Sequence, residues 1–63
     1  MEVAEINVAR KYRMTDDRVL RVSRIWDAPS GHRRVGFEVV KGDHSGFKDM
    51  SLKEFAAQAV QEV

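Results

Sequence analysis

The chain has 63 residues, 43% of them hydrophobic and 33% charged, with a formal net charge of +1 and no cysteine. That balance describes a folded globular domain and excludes a disordered chain, a disulfide or thiolate-zinc scaffold, and a membrane-spanning helix, which needs about 20 consecutive apolar residues. A domain this short buries only about 60% of the surface its unfolded chain exposes, so a homodimer is one expected source of extra stability.

The opening "MEVAEINVARK" lacks the basic head and apolar run of a secretory signal. With the missing cysteines, this leads us to expect a cytoplasmic chain in which residues 1–63 form one small domain. Val3 and Ile6 suit a helical turn, a strand start or a frayed end equally. A first strand is expected at about residues 8–14, closed by "TDD", whose threonine and aspartates favour a tight turn. A second strand at about 18–26, "RVLRVSRIW", is rich in β-branched and aromatic residues, but its alternation slips. Leu20 and Val22 share one face while Ile25 falls on the other, which calls for a bulge near Ser23 or Arg24, or for burial on both faces of a curled sheet.

"DAPSGH" then breaks the pattern with Pro29 and Gly31 and reads as a hairpin loop. The third strand, at about 33–41, alternates cleanly, with Val35, Phe37 and Val39 on one face and Arg34, Glu38 and Val40 on the other. "KGDHSGF" follows as a second hairpin loop, with Gly42 and Gly46 supplying positive φ angles. A short fourth strand at about 46–50 leads into a helix at about 51–62. "SLKE" is a capping box, in which the Ser51 oxygen accepts from the Glu54 amide and Glu54 reaches back. Leu52, Phe55, Ala56, Ala59, Val60 and Val63 recur at helical spacing and give that helix one apolar stripe.

The expected fold is therefore α+β and mainly β: a small curled antiparallel sheet or open barrel of four to five strands, with one C-terminal α-helix. Its expected core is Tyr12, Leu20, Val22, Val35, Phe37, Val39, Phe47, Leu52 and Phe55. Val8, Ala9 and Tyr12 followed by the long run Val19 to Trp26 resemble the start of small Tudor/KOW-type barrels with the Src-homology topology. Ala9 stands where those barrels often carry glycine. The pattern, spanning roughly residues 6 to 56, is also similar to short proteins of phages and other mobile elements that end in a helix of the "SLKEF" kind. Both resemblances imply a binding module for nucleic acid or for a peptide, without catalysis or a cofactor.

Three reactive side chains, Asp43, His44 and Ser45, stand together in "KGDHSGF". Consecutive side chains diverge from the backbone, so they cannot easily align as a nucleophilic triad, and the pattern is not a G-x-S-x-G elbow. The two histidines, His32 and His44, fall in different loops, short of the donors a zinc site needs. No phosphate-binding glycine loop is present. No catalytic residue, metal or cofactor is expected.

Charge is the functional signal. Residues 10–34 carry eight cations, including all seven arginines, against three aspartates, a balance of +5; the remainder carries three lysines against seven carboxylates, or −4. Arg21, Arg24, Arg33 and Arg34 lie on or beside the strands of one hairpin, with Trp26 and His32 at the loop between them. Guanidinium groups grip phosphates bidentately and an exposed aromatic stacks on a base, which suits RNA or single-stranded DNA. Arg10, Lys11 and Arg13 would extend that surface. In so small a protein Trp26 is more readily core than contact, and strand arginines also serve to keep sheet edges soluble. The alternative is a protein partner, an adaptor or inhibitor docking by charge. A self-associating face built on Val40 and Ile25 is compatible with either.

Overall fold

The computed structural model describes residues 1–63 and contains a five-stranded sheet in the order β4-β3-β2-β1-β5, with every neighbouring pair antiparallel. A 3-10 turn at Val3–Glu5 precedes β1 (Lys11–Met14), β2 (Val19–Asp27), β3 (Arg33–Lys41) and β4 (Gly46–Ser51). The helix α1 (Leu52–Gln58) follows, and the chain closes with β5 (Ala59–Glu62). The fold is mainly β, a curled antiparallel sheet with one helix packed over it.

The slip in β2 alternation is a bulge. The register passes from Val22↔Phe37 directly to Arg24↔Gly36 and Ile25↔Val35, so Ser23 is the extra residue. One inserted residue lets Val22 and Ile25, three apart in sequence, face the same side. Val22 is buried there and Ile25 packs on the edge of the core. The inward residues of β1, β2 and β3 are Tyr12, Met14, Leu20, Val22, Val35, Phe37 and Val39. With Ile6, Leu52, Phe55, Ala56 and Ala59 they make one buried cluster. Phe55 is its hub, edge-on to Tyr12 at 5.9 Å between ring centres and tilted against Phe37 at 5.6 Å. The Tyr12 hydroxyl stays satisfied at the rim, donating to the Glu5 carbonyl (2.9 Å) and accepting from the Asn7 amide (2.7 Å).

The helix expected over residues 51–62 ends at Gln58, and residues 59–62 form a strand against β1 instead. No glycine or proline stops it. Backbone donors from elsewhere take its last carbonyls: Thr15 N–H binds Gln58 O at 2.9 Å, and the Met1 ammonium reaches Ala56 O and Ala59 O at 2.9 and 3.1 Å. A helix end satisfied from outside need not continue. Ala59 then turns to extended backbone, with φ −76° and ψ 129°, and keeps its side chain in the core. Half of the expected capping box forms. Ser51 Oγ accepts from Glu54 N–H at 3.4 Å, while Ser51 itself stays paired with Arg34 as the last residue of β4.

The four residues 7–10 before β1 carry the Ala9 departure noted above. Ala9 has φ +70°, a left-handed conformation, and its N–H bonds to Val22 O at 2.8 Å. Val22 N–H answers to Arg10 O at 2.9 Å. This pair of bonds holds the chain in a bend that an alanine side chain disfavours.

Candidate functional site

Register fixes which side chains share the outer face of the sheet, the one turned away from α1. Directly paired residues lie on the same side, so one outward row runs Lys11, Arg21, Glu38, Phe47 across β1 to β4. The next runs Arg24, Gly36, Asp49, and the third Trp26, Arg34, Ser51. The candidate residues Arg21, Arg24, Trp26 and Arg34 therefore come together on one face, joined by Lys11.

Gly36 explains how Trp26 sits there. It faces outward yet is buried, because the indole and the Arg24 stem lie on it. A Cβ at Gly36 would stand 3.3 Å from both Trp26 Cζ3 and Arg24 Cγ. The guanidinium carbon of Arg24 sits 4.1 Å from the indole ring centre, a cation–π stack. Trp26 is thus neither core nor fully solvated. It is a half-buried plate covering a glycine, capped by an arginine.

Phe47, expected in the core, is 74% exposed. Its pairing with Glu38 puts it on the outer face, so it shares that surface with Trp26. The four-residue loop between β3 and β4 sets this register, and counting back across that loop is the sequence signal that would have found it. The two residues considered for a dimer face separate: Ile25 packs on the core, while Val40 is exposed.

Charge segregated along the chain is not segregated in space. Six of the seven arginines have a carboxylate within 4 Å: Arg10–Glu62, Arg13–Asp17, Arg18–Asp16, Arg21–Glu38, Arg33–Asp27 and Arg34–Asp49. Three of these pairs join the basic segment to the acidic remainder. Arg24 alone has no acidic partner and rests on Trp26 instead. Within those three rows Lys11, Arg21, Arg24 and Arg34 stand against Glu38 and Asp49, a net +2, and Arg13, two residues on from Lys11 in β1, shares the face. Arg10 and Arg13 are drawn to Glu62 and Asp17 around β1, at 3.6 Å each.

The two histidines lie apart. His44, with φ +63°, belongs to the 42–45 loop beside the turn after β1, where Asp16, Asp17, Arg18, Lys41 and Asp43 line a polar cleft of about 460 Å³. Within it Asp16 is held below the usual carboxylate range, first by the Arg18 backbone N–H at 3.1 Å and then by the Arg18 side chain at 2.7 Å. No group of three or more His, Cys, Asp or Glu side chains is placed to hold a metal. No hydrogen bond links Asp43, His44 and Ser45, whose segment is the hairpin loop between β3 and β4. His32 and Arg33 lie at the other hairpin, on a cleft of about 350 Å³ that includes Ser51 and Lys53.

No helix is long and apolar enough to cross a membrane. Comparison with protein-family models, with curated proteins and with solved structures gave no match.

Proposed function

We propose that this chain is a non-catalytic binding module whose outer sheet face holds single-stranded nucleic acid. The observation that carries the reading is the Arg24–Trp26 stack, an unpaired guanidinium 4.1 Å over an aromatic plate, on the same face as an exposed Phe47. Bases stack on such aromatics for about 1–3 kcal/mol each, whatever their sequence, and here a base either displaces Arg24 from the indole or stacks on its guanidinium plane. Arg21 and Arg34 flank the stack in ion pairs that are about half or a third exposed. Pairs of that kind are worth about 1 kcal/mol or less, so a phosphate can displace the carboxylate. The resemblance to Tudor/KOW-type barrels points the same way.

Titrating fluorescent single-stranded RNA and DNA at two salt concentrations tests the proposal. Binding that weakens steeply with salt, and that Trp26→Ala and Arg24→Ala each reduce about tenfold, is the expected result. Absence of binding at low salt defeats it.

A protein partner is the second reading, favoured by the internal neutralisation of six arginines, which leaves a mixed-charge face with two aromatics. Arg, Trp and Phe are also residues enriched at protein interfaces. Capture from nuclease-treated lysate separates the two: a partner that survives nuclease supports this second reading.

A further inference from the structure

The loop between β2 and β3 offers a site separate from the outer face. A cleft of about 350 Å³ lies between that loop and the start of α1, and it is lined by His32, Arg33 and Lys53 with Ser51, Gly31 and Val3 beside them. No carboxylate lines it, whereas the polar cleft at the opposite hairpin contains three aspartates. Asp27 meets Arg33 at Nε, 3.3 Å away, and the Arg33 side chain remains 58% exposed. The seven-residue helix contributes the Lys53 side chain here, while the Ser51 oxygen is already engaged by Glu54 N–H.

The geometry points to a phosphate subsite filled by the terminal phosphomonoester of the bound strand, an inference that rests on the nucleic-acid reading. Two exposed cations and an imidazole with no lining carboxylate suit a group carrying about −1.5 to −2 charge better than an internal diester with one. The position also fits. Ser51 ends the row Trp26, Arg34, Ser51 and lines the cleft, so the subsite opens where the aromatic end of the outer face stops. A strand stacked on Trp26 reaches it with its end rather than its middle.

The test compares one oligonucleotide in hydroxyl-ended, 5′-phosphorylated and 3′-phosphorylated forms, by anisotropy, against the wild-type chain and the variant Lys53→Gln. The expected result is a preference of roughly fivefold for one phosphorylated end, lost in the variant, whose affinity for the hydroxyl-ended strand is unchanged. Equal binding of all three forms overturns the subsite while leaving the face intact. If no oligonucleotide binds, the nucleic-acid reading has failed, and inorganic phosphate followed by NMR decides the cleft alone. Saturable shifts at Gly31, His32 and Lys53 then keep it as a phosphate site for another source; no shift removes it.

Discussion

Tyr12 meets Phe55 edge-on, their ring planes 89° apart, and joins the first strand of the sheet to the helix through the centre of the core. Both side chains are fully buried. Phe55→Ala is expected to cost about 3–5 kcal/mol, a large part of the stability of a small domain. Phe47→Ala removes the same atoms from a side chain that is 74% exposed, and is expected to change stability by about 0.5 kcal/mol or less. Urea denaturation of the two variants reads the contrast, and comparable losses would mean that Phe47 is buried in solution.

Two backbone sites predict opposite signs. At Ala9, with φ +70°, glycine removes a left-handed strain of about 1–2 kcal/mol and gives back part of it as unfolded-state entropy. Ala9→Gly is therefore expected to raise stability by up to about 1 kcal/mol. At Gly36, alanine must push Trp26 and Arg24 from contacts at 3.3 Å. Gly36→Ala is expected to lower stability by about 1 kcal/mol or less, because Trp26 and Arg24 lie on the open face and can shift outward while alanine suits a strand better than glycine. Thermal melts of the pair check both signs.

Removing the outer carboxylates separates stability from binding. Glu38→Gln with Asp49→Asn frees Arg21 and Arg34 and makes the face more positive by two charges. Because both pairs are exposed, the fold is expected to lose about 1 kcal/mol or less. Affinity for single-stranded nucleic acid is expected to rise roughly several-fold at low salt, with a steeper salt dependence. Unchanged affinity would place the contact elsewhere.

The turn after β1 predicts a mild acid sensitivity. Asp16 is held below its ordinary value chiefly by the Arg18 backbone N–H. A depressed carboxylate stabilises the fold above its unfolded-state value, and that contribution fades as pH falls through the lower folded value. Asp16→Asn should thus flatten the acid limb of stability while leaving the neutral plateau's shape unaltered. An NMR titration of the Asp16 carboxyl gives the direct measurement, and a midpoint at or above the ordinary value contradicts the prediction.

Local pattern made much of this fold legible before the structure. Strict alternation located β3, the slip around Ser23 marked the bulge in β2, and Ser51 announced the helix start. What stayed hidden was non-local. Ala59, Val60 and Val63 continue a helical stripe, but the carbonyls before them are taken by Thr15 and Met1, and β1 offers a ladder to join. Propensity cannot see donors 40 or more residues away. The outer face was half legible: Arg21, Arg24, Trp26 and Arg34 share a hairpin, yet the carboxylates that quiet two of them arrive from β3 and β4. Phe47 was misplaced because apolar character alone does not say which side of a six-residue strand a side chain takes.

The glycine that seats Trp26 also makes the protein its own optical probe. The chain has one tryptophan, and it lies on the outer face rather than in the core. Indole emission should therefore report what covers that face, through the displacement of the Arg24 cation and of water. A ligand can be followed without any label, at concentrations where the fold itself gives no signal change.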